Sequence, residues 1–316
     1  MSVATPAPQP AARTLNRWRR LGYRLLPGEG FSYVLHLRPA EWPIMAAHTL
    51  LGFLLAVGLP AAARGAQLGT ALWALFIWVV LLNGGTLAIN SVYDDDEGDI
   101  GYLDAPPKPP RHLLAFSWLL LIAGQLLAFT LPPGFVVAYA ICFAMSVAYS
   151  VPPLRLKAVG GVDWVINMIG FGTLTPYAGW AATGRALPLA EALVLLSFCP
   201  LFAALYPLTQ LYQWDEDQRR GDRTLAIMLG LRRSLMVALL CTALAFGLLA
   251  WAATLSELDW WRWLAIGLAF AAWLKVLLPW QSRCEGMTSL EHKRGFYAAL
   301  GAWAITDVAV LVAFAL

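Results

Sequence analysis

Residues 69–99 read Gly69-Thr-Ala-Leu-Trp-Ala-Leu-Phe-Ile-Trp-Val-Val-Leu-Leu-Asn-Gly-Gly-Thr-Leu-Ala-Ile-Asn90-Ser-Val-Tyr-Asp94-Asp-Asp-Glu-Gly98-Asp99. An uncharged run followed by a burst of acid has the length a bilayer core demands of a helix, about 20 residues. Similar apolar runs occupy approximately 43–63, 69–91, 112–131, 133–150, 161–182, 187–211, 234–255, 260–279 and 296–316. The 316 residues are 59% hydrophobic and 13% charged, whereas soluble chains carry roughly 25% charge. The sequence therefore predicts an all-α polytopic membrane protein of about nine transmembrane helices. Trp42, Trp260, Trp261 and Trp280 stand at span edges, as interfacial anchors do.

The basic residues orient the chain. With the amino terminus inside, 18 of the 22 Lys and Arg residues fall on the inner side, including the cluster from Arg13 to Arg24. Arg64, Arg185 and Arg262 fall outside, and Lys275 lies within a span. The positive-inside rule then puts the amino terminus in the cytoplasm, and the expected location is a bacterial inner membrane. The net charge of +3 is a topology signal and not a nucleic-acid footprint. Residues 1–40 are expected to form a cytoplasmic arm, disordered in its Ala/Pro-rich first part, whose basic stretch can touch anionic lipid. Residues 41–316 are expected to form a single transmembrane domain. No apolar core follows the early arginines before Trp42, so the arm does not read as a secretory signal. Cys142, Cys199, Cys241 and Cys284 lack metal-ligand spacing and read as packing residues.

A lipid-embedded chain keeps its carboxylates few. Of 19 Asp and Glu, six fall between Asp94 and Asp104 and four between Asp215 and Asp222. Both clusters follow a span on the predicted cytoplasmic side. The second reads Gln213-Trp-Asp-Glu-Asp217-Gln-Arg-Arg-Gly221-Asp222. Each cluster is a side-chain amide, three residues, Asp, three residues, then Gly-Asp, at the end of the second span of a four-span unit. This resembles an internal duplication into two four-helix units plus a final helix. Positions i and i+4 share a helix face, so Asn90 with Asp94, and Gln213 with Asp217, aim paired oxygens one way. Mg²⁺ binds one or two carboxylates together with substrate phosphate oxygens. The bland alternative is that loop acids merely solvate helix ends. After the fourth span comes Tyr149-Ser-Val-Pro152-Pro153-Leu-Arg155-Leu-Lys157, where Arg155 and Lys157 alternate on an extended segment and can clamp phosphate. Lys108 and Arg111, in a proline-rich loop, have the same potential; alone, each would be an ordinary positive-inside loop.

These landmarks, in this order, resemble the UbiA superfamily of intramembrane prenyltransferases over roughly residues 40–316. That family has nine transmembrane helices, Asp-rich motifs after the second and sixth, and often a Tyr-Ser-x-Pro-Pro-x-Arg-Leu-Lys segment after the fourth. The run from Gly221 to Ala226, containing Arg223, is similar to the continuation of the second motif. Two positions differ. The first motif is usually Asn-Asp-x-x-Asp-x-x-x-Asp, and here Ser91 and Gly98 replace its first and last Asp. Asp99, or the register of Asp95 with Asp99, stands as the substitute. In the second motif Gln213 replaces the first Asp, with Asp215 as a substitute.

The resemblance implies helices around a central cavity and Mg²⁺-dependent prenyl transfer from a prenyl diphosphate to a lipophilic acceptor such as an aromatic or quinone precursor. It implies Asp94 and Asp217 as catalytic residues, and Asn90, Asp94, Asp95, Asp99, Asp215 and Asp217 as metal ligands. Lys108, Arg111, Arg155, Lys157 and Arg223 would hold diphosphate. Tyr93, Tyr149, Tyr212 and Gln213 would line the substrate pocket, with Tyr206 and Trp214 as further aromatic faces for an allylic cation. A transporter of an anionic lipid or metabolite, or a non-catalytic prenyl-lipid binder, are the competing readings. Asp163 and Glu191 read as interfacial, Asp307 as a possible partner of Lys275, and His48 as a hydrogen-bonded packing residue.

Overall fold

The computed structural model describes residues 17–94, 103, 105–214, 218–219 and 224–316. Two short helices, α1 (Arg17–Leu25) and α2 (Gly30–His36), precede the apolar bundle. The bundle opens with α3 (Trp42–Val57), started by Pro43 in its first turn and stopped at Gly58, whose φ of 84° leaves the helical region. After the short α4 (Leu59–Ala63) come α5 (Leu68–Tyr93), α6 (Leu113–Ala128) and α7 (Pro133–Ser150). Then α8 spans 162–181, followed by α9 (Leu189–Leu211), the short α10 (Leu225–Leu229), α11 (Leu231–Leu255), α12 (Trp260–Arg283) and α13 (Ser289–Phe314). Thr288 and Glu291 form a capping box that starts α13.

Among the described residues, six helices are long and apolar enough to cross a bilayer: α5, α7, α9, α11, α13 and the run through α12 to Gly286. The other expected spans differ in detail. The run 43–63 is divided at Gly58, and α6 has 16 residues. In α8, Val162–Asn167 and Thr175–Ala181 flank a π-helical stretch, Met168–Leu174. A second π-helical stretch, Phe76–Asn83, lies within α5. Such stretches are uncommon and concentrate at functional sites.

The buried apolar residues form two main clusters. One joins α9, α11, α12 and α13 around Phe198, Leu201, Leu235 and Trp273; the other joins α5, α6, α7 and the outer part of α8 around Trp78, Leu121, Phe135 and Tyr139. Helix α3 contributes to both, through Leu51 and Leu55 to the first and Met45 to the second. It meets α8 by reciprocal close approach. A Cβ at Gly52 would collide with the Pro176 carbonyl oxygen, and one at Gly179 with that of Thr49. Small residues at both points let the backbones touch.

The deeper polar residues also find places. His48 lies 3.3 Å from the Gly172 carbonyl through Nε2 and stands edge-on to Phe198 and Trp303, as a packing residue does. Lys275 and Asp307 form no ion pair: Lys275 is exposed on the side of α12, and Asp307 turns toward Trp303. All four cysteines are free.

Candidate active site

Helix α5 ends at Tyr93, and Asp94 leaves it in an extended conformation while its amide still bonds the Asn90 carbonyl at 3.1 Å. On the facing side, the chain leaving α7 passes Pro152 and Pro153 and turns at Arg155, held at φ 36°, into one 3₁₀ turn, Leu156–Ala158. A left-handed arginine is unfavourable by about 1 kcal/mol, and the surrounding contacts hold it there. Lys157 Nζ donates to Asn90 Oδ1 at 2.8 Å and also to Asp94 Oδ1. The Ser150 hydroxyl donates to Asn90 Oδ1 at 3.3 Å. Arg155 donates to the Tyr93 carbonyl at 3.3 Å and stands 3.8 Å from Asp94 Oδ1. Asn90 and Asp94 thus present one face, and both cations of the Pro-Pro segment approach it.

Asn90 also forms part of the wall of a cavity of about 430 Å³ between α3, α5, α7, α8, α9 and α13. Its polar end holds Asn90, Tyr149, Asn167 and Tyr206; Trp78, Leu82, Phe171 and Phe202 line the apolar part. Phe171 and Phe202 stack at 5.4 Å, and Tyr206 follows Phe202 at 6.4 Å. Both π-helical stretches supply lining residues, Trp78, Leu82 and Asn83 from one, Gly170 and Phe171 from the other. Behind the wall, buried Asp163 accepts from the Tyr206 hydroxyl at 2.7 Å and from the Gly161 amide at 2.9 Å. On the α3 side the lining includes Arg38, Glu41 and Asn83. Burial raises the Glu41 carboxyl from its ordinary value, against the pull of Arg38.

A family model described as the UbiA prenyltransferase family matches residues 48–288. The chain belongs to the UbiA prenyltransferase family. Among relatives of this UbiA prenyltransferase, a digeranylgeranylglyceryl phosphate synthase of Methanoregula boonei is 25% identical over 86% of this chain and 96% of its own. A protein of the same name from Natronomonas pharaonis is 32% identical over 50% of this chain, and the match spans only 57% of that relative's length. A UbiA homolog from Archaeoglobus fulgidus, solved bound to DMAPP and Mg²⁺, superposes with a TM-score of 0.66 at 21% identity, covering 88% of this chain and 99% of the other. A solved digeranylgeranylglyceryl phosphate synthase gives 0.68 at 15% identity, covering 89% and 97%. At these identities the structural likeness is one of fold.

The site of this UbiA prenyltransferase brings together only part of the expected set. Asn90, Asp94, Arg155, Lys157 and Tyr149 converge as described. Lys108 and Arg111 are exposed and form no hydrogen bond or ion pair with Asn90 or Asp94. Tyr93 reaches the cluster through its backbone carbonyl, and its ring does not line the cavity. Tyr212 packs beside Phe296 at 5.8 Å and under Lys293, while Gln213 is exposed in the turn after α9; neither lines the cavity. Asp95, Asp99, Asp215, Asp217 and Arg223 lie outside the described residues. Asn90, in the last turn of α5, and Asp94, just past its end, are hard oxygen donors, which fits a small divalent cation shared with phosphate oxygens. Among the described residues no group of three His, Cys, Asp or Glu converges, the other acids of both motifs lying beyond them.

Sequence reading passed over Asn83, Thr86, Phe171, Phe202 and Arg38, all of which line the cavity. A signal existed for the first two: Asn83, Thr86 and Asn90 recur at i, i+3 and i+7 in an otherwise apolar span, one polar face.

Proposed function

We propose that this protein transfers a prenyl group from a prenyl diphosphate to a lipophilic acceptor on the cytoplasmic side of the membrane, with Mg²⁺ as cofactor. One observation carries the reading: Asn90 belongs at once to the cluster with Asp94 and Lys157 and to the wall of the aromatic-lined cavity. A molecule with a doubly charged head and a greasy tail fits that junction, head toward Lys157 and tail among Trp78, Phe171 and Phe202. Mg²⁺ held by Asn90, Asp94 and the remaining motif acids would supply charge neutralisation to the departing diphosphate. Lys157 and Arg155 donate to the same oxygens as the allylic C–O bond breaks and its electron pair leaves with diphosphate. The aromatic wall of Phe171, Phe202 and Tyr206 stabilises the allylic cation by roughly 0.5–2 kcal/mol per ring and keeps water away. The acceptor's nucleophilic atom then forms the new bond and gives up a proton.

We assign the acceptor head to the part of the cavity lined by Arg38, Glu41 and Asn83. The Asn83 side-chain nitrogen is buried there without a protein partner, so a polar or anionic acceptor head supplies what the fold leaves open. An aromatic or quinone precursor and an isoprenoid glycerophosphate both carry such a head; the names of the two archaeal relatives favour the second.

The test is purified protein with Mg²⁺, labelled prenyl diphosphates and a panel of acceptors. Diphosphate release should require an acceptor and disappear in Asp94→Ala and in Asp217→Ala. Binding of every prenyl diphosphate without release would turn the assignment to a lipid binder.

A further inference from the structure

Helix α1 carries two side-chain rows. Arg17, Arg20 and Arg24 recur at i, i+3 and i+7, and Trp18, Leu21 and Leu25 recur at the same spacing one residue later. The inward face is committed: Gly22 lies beneath the Phe31 ring, and Tyr23 bonds Ser32 at 3.0 Å. The apolar row stays open, with Trp18 58%, Leu21 49% and Leu25 70% exposed. An apolar row flanked by arginines is the pattern of a helix lying in a membrane interface.

The same small unit holds the loop before α6. Arg19 Nη2 donates to the Ala105 carbonyl at 3.0 Å. Leu103 packs with Phe31 and Leu35, and the buried His36 ring lies against the backbone of Pro107 and Lys108. Leu103 and Ala105 flank Asp104, the last acid of the first cluster, in sequence.

We propose that α1 lies on the anionic bilayer surface, its Trp18–Leu21–Leu25 row among the acyl-chain ends and its arginines on lipid phosphates, and that this contact fixes the loop from Ala105 to Arg111 through Arg19 and α2. Two observations select lipid as the occupant. The arginine row complements anionic headgroups, and α1 is joined through α2 to the apolar helix α3, which starts at Trp42, so it is tethered beside the apolar bundle. The membrane contact stands without the proposed reaction; only an effect on turnover rests on it.

The experiment places full-length protein in nanodiscs of phosphatidylcholine alone or mixed with phosphatidylglycerol and follows backbone hydrogen exchange. Amides of α1 and of Ala105, Lys108 and Arg111, the loop positions that are not proline, should exchange more slowly in the anionic discs. Arg17→Gln/Arg20→Gln/Arg24→Gln should erase that difference, since each arginine is worth about fivefold in surface partition and three together roughly a hundredfold. Arg19→Gln should keep the protection of α1 and lose that of the loop. Equal exchange in both discs for the native chain would overturn the proposal. So would unchanged lipid dependence in the triple variant, or protection of α1 in detergent that vanishes when residues 1–16 are removed, which would make the chain's own terminus the cover.

Discussion

Replacing Lys157 with methionine isolates the electrostatic role assigned to the Pro-Pro segment. Its ammonium bonds Asn90 and Asp94, and its side chain is 11% exposed, against 48% for Arg155. Two unit charges about 4 Å apart at an effective dielectric of about 20 interact by roughly 4 kcal/mol. Removing one preorganised donor from a site of developing charge lowers kcat by about 10²–10³. Lys157→Met should therefore reduce prenyl transfer by that factor at saturating prenyl diphosphate. Arg155→Met should lower it by less than about tenfold, because water screens a half-exposed pair. Lys157→Arg should recover part of the loss, since charge returns without the compact ammonium geometry. The assay is diphosphate release with thermal unfolding measured on the same preparations. If Lys157→Met falls no further than Arg155→Met, or if its activity falls in step with its Tm, then Lys157 is a structural counter-ion and the electrostatic argument fails.

Three further outcomes follow from the packing. Burial holds the His36 imidazole below its ordinary 6.5, so between that value and its folded one the unfolded chain binds more protons. The α2–loop contact is thus at full strength above about pH 6.5 and weakens as pH falls; the protection of the Ala105, Lys108 and Arg111 amides, relative to the intrinsic exchange rate at each pH, should fall in acid, and His36→Gln should flatten that dependence. Gly52→Ala and Gly179→Ala each force a Cβ into a carbonyl oxygen, a loss of about 1–3 kcal/mol or more, visible as a lower Tm. Gly247→Ala, in a helix interior with nothing within 4 Å, should leave the Tm unchanged or raise it, by up to about 1 kcal/mol of helix propensity. Tyr206→Phe strips buried Asp163 of its 2.7 Å donor and should destabilise by about 1.5–3 kcal/mol. Asp163→Asn turns its NH2 toward one of the two groups that donate to Asp163, Gly161 N–H or Tyr206 O–H, and should lose a similar amount in the same thermal melt.

The bilayer made much of this fold legible. Apolar runs of fixed length are imposed by hydrocarbon thickness, so α5, α7, α9, α11, α12 and α13 stand close to their expected places. That Asn90 and Asp94 share a face was legible in their i, i+4 spacing; the path of Lys157 was not, because the segment expected to be extended turns at Arg155 into a 3₁₀ turn. What sequence concealed depends on three-dimensional neighbours. Arg38 reads as one more inner-face charge, yet the turn before α3 aims it at the cavity. Asp163 reads as an interfacial acid, yet it is 6% exposed because Tyr206 of α9 reaches it across the bundle. Tyr212 and Gln213 sit beside the second motif in sequence, but the end of α9 turns them onto α13 and outward. Phe171 and Phe202 carry no local mark at all, being two phenylalanines among 14.

The π-helical stretches Phe76–Asn83 and Met168–Leu174 give the cavity a sensitivity to chain length that point substitutions do not probe. Each holds more residues per turn than an α-helix, so a stretch that loses one residue relaxes toward α geometry and absorbs most of the deletion. In the α-helical part beyond it, Gly84–Tyr93 in α5, nothing absorbs a deletion, and the remainder turns by about 100°. A deletion between Gly84 and Ile89 would therefore swing Asn90 off the face it shares with Lys157 while leaving the span apolar and long enough to cross. The site's register is thus written as a count of residues from the π-helical stretch onward, and an indel in that count silences the chemistry in a protein that still inserts and packs.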